Sequence, residues 1–171
     1  YAPAQEGAPF GPDCARALDW AVERAQAFGL QAETMEHKVA YADLNSNPSQ
    51  LDILVHLDVV PAGDGWTVTE PFRPVLKDGK LYGRGTCDDK GPAVAALYAL
   101  KAVKELGFPE YCGNNLDNIG ECLDEMKTPV TINFINRERM KLKFGRFATV
   151  LSQMLKLAAK HNSKITYHES K

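Results

Sequence analysis

The triplet His56-Leu57-Asp58 places an imidazole two residues before a carboxylate. The preceding run, Asp52-Ile53-Leu54-Val55, is apolar and rich in β-branched residues. It reads as a buried strand that ends in these polar residues. Residues two apart on a strand face the same way, so the ring and the carboxylate can meet after local bending. A metal-binding imidazole normally donates its other ring N–H to a carboxylate, which sets its tautomer and orientation. Taken alone, the triplet reads first as a strand-edge histidine beside a solvated aspartate, and only in second place as a metal ligand with its orienting carboxylate. A second cluster is Gly85-Thr86-Cys87-Asp88-Asp89-Lys90-Gly91-Pro92. Adjacent carboxylates in a loop before a helix can bridge two divalent cations about 3.5–4 Å apart, the spacing of two-metal hydrolysis. Taken alone, they read first as a capping cluster at a helix start.

The elements that must position these residues follow from periodicity. Residues 11–29 read as a helix, with Cys14, Leu18, Ala21, Val22, Ala25 and Phe28 at helical spacing and Gly29 ending it. Cys14 is expected in the core. Residues 33–43 read as one strand, and Asn45 to Ser49 as a turn. Residues 61–67 form a loop. Residues 72–83 read as a hairpin, because Asp78-Gly79 supplies the turn. Residues 92–106 are the clearest helix, with Pro92 in its first turn and Gly107 and Pro109 closing it. Beyond residue 110 the composition shifts. Residues 110–129 are polar and poorly patterned, and 130–135 alternate as a strand. Residues 136–146 hold five basic residues and one acidic, the mark of a solvated face. Residues 147–161 form an amphipathic helix, and 165–168 a last strand. Strand, loop and helix in alternation argue for an α/β domain.

The run HLDVVPAGDGW, followed by PFRPVLKDGKLYGRGTCDDKGP, resembles the aminoacylase and dipeptidase family of di-zinc peptidases, in its Xaa-His dipeptidase (carnosinase-like) branch. The likeness covers residues 6–109. It implies that His56 is a zinc ligand, that Asp58 is the catalytic-site carboxylate orienting it, and that Asp88 bridges two zinc ions, with cobalt or manganese able to substitute. It implies a cis peptide between Asp88 and Asp89, with Asp89 supporting the loop. It also implies hydrolysis of a dipeptide or short peptide by a zinc-bound hydroxide, since zinc lowers the pKa of its water to about 7. The implied fold is an α/β catalytic domain, a mixed β-sheet layered with helices, here truncated. Residues 1–109 would be its N-terminal half, and 110–171 a divergent tail of the same domain.

The family pattern then calls for a Glu-Glu pair, one a general base and one a ligand. The counterpart, CGNNLDNIGECL at 112–123, places Leu116-Asp117 or Asp117-Asn118 there. Asp117 remains a candidate metal ligand. Leu116 and Asn118 cannot act as a general base, whose contribution is typically about 10²–10⁴-fold. Glu121 reads as a surface residue at the start of a helix. His161 and His168 qualify as late ligands by residue type only. His161 reads first as the basic end of a helix, and His168 as a solvated residue near the chain end.

Composition frames these readings. The chain has 171 residues, 44% apolar and 25% charged, and a net charge of −2. That is the mix of a globular domain with no overall bias toward nucleic acid or anionic membrane, and neither is expected as a partner. Apolar runs are too short for a membrane span. The first residues lack the pattern of a secretory signal, and the absent initiator Met suggests a start inside a longer gene product. Cys14, Cys87, Cys112 and Cys122 form no C-x-x-C pair and are read as free thiols in a cytoplasmic protein. Besides the enzyme, two other readings stand. One is a non-catalytic remnant serving as a binding module. The last in rank is a basic nucleic-acid-binding piece at 110–171.

Overall fold

A computed structural model describes residues 2–46, 51–107 and 116–170. Residues 47–50, with most of the turn expected at 45–49, and residues 108–115, with Cys112, lie outside them. The chain forms two compact units, Tyr1–Ala102 and Val103–Lys171.

The first unit begins with helix α1, Pro12–Ala27. Pro12 occupies the first turn, where its missing N–H costs nothing, and Asp13 faces the positive end of the helix dipole. The C-terminus closes with two hydrogen bonds, Leu30 N–H to the Ala25 carbonyl at 3.0 Å and Gly29 N–H to the Gln26 carbonyl at 2.8 Å. That is the Schellman pattern, and it turns Leu30 inward to a buried position. Cys14 is half-buried, short of the core position expected for it.

The single strand expected at 33–43 is a hairpin. Strand β1, Gln31–Met35, pairs antiparallel with β2, Val39–Asp43, from Gln31 opposite Asp43 to Met35 opposite Val39. The turn puts Glu36 and His37 at φ 53° and 50°, and Lys38 N–H closes it on the Met35 carbonyl at 3.0 Å. Neither residue type announces a left-handed turn, so the alternation reads as uninterrupted. Helix α1 packs against this hairpin. Strands β3, Val75–Lys77, and β4, Lys80–Tyr82, form the expected second hairpin around Asp78-Gly79. Helix α2, Lys90–Leu106, follows, and Tyr98 meets Phe28 edge-to-face with ring centroids 5.0 Å apart.

The second unit has a fuller apolar core. Helix α3 spans Leu116–Asp124, strand β5 Val130–Phe134, helix α4 Arg137–Phe144, helix α5 Arg146–His161 and strand β6 Ile165–Glu169. Helix α3 corrects the irregular reading of this part of 110–129. Glu121 lies within it, exposed. β5 and β6 pair in parallel, Val130 opposite Ile165 and Phe134 opposite Glu169. Parallel strands need a long crossover, and α4 and α5 supply it. Leu123, Leu155, Ala158 and Ile165 form the core, with Ile119, Ile132 and Leu151 packed around it. Asn162 ties the ends together. Its side-chain amide donates to the Leu123 and Met126 carbonyls at 2.8 Å, and its oxygen accepts from Lys164 N–H at 2.9 Å.

The α/β class holds, with helices and small sheets in both units. The one mixed sheet does not: among the described residues the strands form three separate two-stranded sheets. The expected strand at 52–56 is also absent, since no residue of 51–61 is assigned to a strand. A strand exists only with a neighbour to exchange main-chain hydrogen bonds, and none of the six strands among the described residues pairs there. Leu54, expected in a buried strand, is 96% exposed.

Candidate metal centre

The site is built by two segments of the first unit, the extended chain at 56–58 and the loop at 85–91. His56 Nε2 lies 3.1 Å from Asp88 Oδ1. On the other side of the ring, His56 Nδ1 lies 3.2 Å from Asp58 Oδ1 and 3.3 Å from the Asp58 carbonyl oxygen. The imidazole is therefore held between two aspartates, and the face sharing expected of His56 and Asp58 is achieved without a strand. The Asp88–Asp89 peptide is cis, as the family likeness implies.

Two glycines let the segments come this close. A Cβ on Gly91 would stand 2.3 Å from the Thr86 carbonyl oxygen, inside any allowed contact. Gly85 has φ +85°, and a Cβ there would stand 2.7 Å from Val59 Cγ1. The intervening loop is clamped at Ala62. Its carbonyl accepts from the Trp66 indole N–H at 2.9 Å and from Arg84 Nη2 at 2.7 Å, and the guanidinium lies 5.4 Å from the Trp66 ring centroid.

The electrostatics favour a charged ring. Partial desolvation works against the imidazolium. Hydrogen bonds to the Asp58 carbonyl and the Asp88 carboxylate, with the charges of both aspartates, outweigh it and hold His56 above its ordinary value of 6.5. The His56, Asp58 and Asp88 side chains are 50%, 71% and 76% exposed, so solvent screens these ion pairs and they add little stability.

The donor geometry suits a cation. Two ligands of one tetrahedral zinc, each about 2.0–2.2 Å from it, lie about 3.3–3.6 Å apart, slightly wider than the pair here. Nε2 and Oδ1 stand at 3.1 Å. Asp58 Oδ1 lies on the Nδ1 side of the ring, 3.2 Å away, the side on which a metal-binding imidazole commonly keeps an outer carboxylate. The set is nonetheless a pair: among the described residues, no group of three or more His, Cys, Asp or Glu is assembled to hold a metal. Asp117 lies in the first turn of α3, in the second unit. His161 ends α5 with Nδ1 3.6 Å from Asp124 Oδ2, and His168 is exposed on β6.

Sequence reasoning assigned Asp89 only a general role in the loop and missed Lys90. His56 N–H donates to Asp89 Oδ2 at 3.1 Å, and the Lys90 ammonium donates to the Leu57 carbonyl. The cue was present in Asp88-Asp89-Lys90-Gly91, but the partners lie more than thirty residues away.

Part of the chain is similar in sequence to known proteins. Residues 53–113, which include His56, Asp58 and Asp88, match the model of peptidase family M20/M25/M40, so the peptidase resemblance read from the motifs stands. More particularly, the chain is 42% identical over 105 residues to a putative dipeptidase of Staphylococcus aureus strain USA300, covering 61% of this chain and 22% of that protein. It is 41% identical over 103 residues to a putative dipeptidase of Staphylococcus haemolyticus strain JCSC1435, covering 60% and 22%. The similarity thus spans about a fifth of the length of these relatives. No helix among the described residues is long and apolar enough to cross a membrane.

Proposed function

We propose that this chain carries part of the metal-binding half of a dipeptidase-type hydrolase, with His56 and Asp88 as cation ligands and Asp58 as the carboxylate that orients His56. The observation that carries this reading is the placement of Asp88 Oδ1 3.1 Å from one ring nitrogen of His56 and Asp58 Oδ1 3.2 Å from the other. Asp117 is proposed as a further ligand. Zinc is the proposed metal, two ions in a complete site, with cobalt or manganese as substitutes. The proposed substrate is a dipeptide or short peptide, and the proposed location cytoplasmic. Residues 1–109 are proposed as the front half of a catalytic domain and 110–171 as its divergent tail.

A bound cation would polarise the scissile carbonyl and acidify a water molecule. The rest falls to this chain's own residues. A proton on Nδ1 would be held at Asp58, whose carbonyl oxygen accepts it at 3.3 Å with the carboxylate 3.2 Å away, which would leave the Nε2 lone pair free for a cation. Asp88 supplies a full negative charge at that point and one oxygen on the Nε2 side. A cation held by His56 and Asp88 would take the place of a proton on Nε2, so its affinity would fall with falling pH.

The test is zinc titration by calorimetry with elemental analysis, joined to a dipeptide hydrolysis assay before and after chelation. Zinc binding lost in Asp88→Ala supports the site, and chelator-sensitive turnover supports catalysis. A chain that binds no zinc sinks both. The remnant reading draws on a specific observation: Leu116 and Asn118 flank Asp117 where a general base is needed. It expects cation binding without turnover.

A further inference from the structure

We infer that Lys90 is a positioning residue that holds His56 in reach of Asp88 before any cation arrives; the inference rests on the metal-site reading above for its functional meaning. The argument starts from what residues 51–61 lack. They were expected to be held by a sheet, and among the described residues they join none. A histidine on an unladdered, exposed segment samples many positions, and a ligand that wanders binds weakly. Something else must fix the main chain at 56–58.

Two hydrogen bonds do so, one on each side of the His56–Leu57 peptide. Asp89 Oδ2 accepts the His56 N–H at 3.1 Å, and the Lys90 ammonium donates to the Leu57 carbonyl. Both come from the residues directly after Asp88. The stretch that carries one ligand thus grips the stretch that carries the other, and two adjacent side chains do the work of a neighbouring strand. The route of Lys90 is built for this. Its own N–H is fixed to the Gly85 carbonyl at 3.0 Å. Its side chain passes over Gly85, where an added Cβ would stand 3.4 Å from Nζ and 3.6 Å from Cδ. Lys90 is partly buried and opens α2, so its backbone is anchored in a helix.

The experiment uses the full chain, metal-free, with amide hydrogen exchange followed residue by residue, and then cobalt titration followed by visible absorption. Lys90→Met removes the donor and keeps the length. Lys90→Arg keeps a donor. Outer partners of metal ligands typically contribute about 10- to 100-fold in affinity. The expected result is His56 amide exchange about tenfold faster in K90M with α1 and β1 unchanged, cobalt binding about tenfold weaker, and both restored in K90R. Unchanged exchange at His56 in K90M would overturn the inference. So would uniform acceleration across α1 and β1, which makes Lys90 a general stabiliser. If the wild-type chain binds no cobalt yet K90M still frees the His56 amide, the strap stands and the metal reading falls.

Discussion

The His56 amide and the Asp89 carboxylate, thirty-three residues apart, are joined at 3.1 Å. This bond runs from the main chain of His56 to the side chain next to Asp88. Its consequence is that the imidazole and the two carboxylates at 58 and 88 form one unit, which mutation can take apart piece by piece.

Asp58→Asn should weaken divalent-cation binding without abolishing it. The amide still occupies the Nδ1 side but no longer carries the charge that favours the productive orientation. The expected loss is about 10- to 100-fold in affinity, read by cobalt titration. Asp88→Ala should remove binding altogether. Equal affinity for wild type and D58N would count against the orienting role.

Gly91→Ala should distort the loop at 85–91. The added Cβ meets the Thr86 carbonyl oxygen at 2.3 Å, and backbone cannot swing aside as a flexible side chain can. A cost of about 1–3 kcal/mol is expected for such overpacking, measured by urea unfolding of the first unit through its tryptophans, Trp20 and Trp66. Cobalt binding should fall with it.

Asn162→Ala should destabilise the second unit by about 2 kcal/mol. The change leaves the Leu123, Asp124 and Met126 carbonyls without their shared donor, and a buried unsatisfied group costs about 1–3 kcal/mol. Amide exchange in α5 is the readout. Unaltered protection there would show that water replaces the amide at no cost.

Acid should loosen the same unit through Glu169. Hydrogen bonds from Lys156 and then Ser152 lower its pKa; desolvation opposes them, and the charges of Lys156 and Arg137 add to the lowering. A carboxyl group depressed in the folded state contributes stability above its ordinary value of 4.5, and that contribution fades as pH falls through the folded value. Thermal unfolding of the full chain, followed by exchange in α5, should therefore show a loss of stability below about pH 4.5. Glu169→Gln should flatten it. An unchanged acid limb in E169Q would assign the loss to other carboxylates.

Much of the local architecture was legible beforehand, for reasons that are local. The apolar spacing from Cys14 to Phe28 and the proline and glycine at its ends suffice for α1. Asp78-Gly79 suffices for the second hairpin, because both residues tolerate left-handed backbone. Alternation at 130–134 and the stripe from Val150 to Ala158 were enough for β5 and α5. The hairpin at 31–43 escaped because Glu36-His37 turns without a turn-forming residue. Helix α3 escaped because its buried Cys122 and Leu123 sit among polar residues that blur the period.

The order and kind of His56, Asp58 and Asp88 are properties of the chain itself, and so is the presence of Leu116 and Asn118 around Asp117. Their meeting is not. The tertiary structure alone decided that, among the described residues, 52–56 has no strand beside it, and that Asp89 and Lys90 hold His56 and Leu57. Local pattern reports what a segment can bury or how it can turn. A ladder or a ligand pair depends on which distant segment arrives opposite it, and that is settled only when the whole chain has packed.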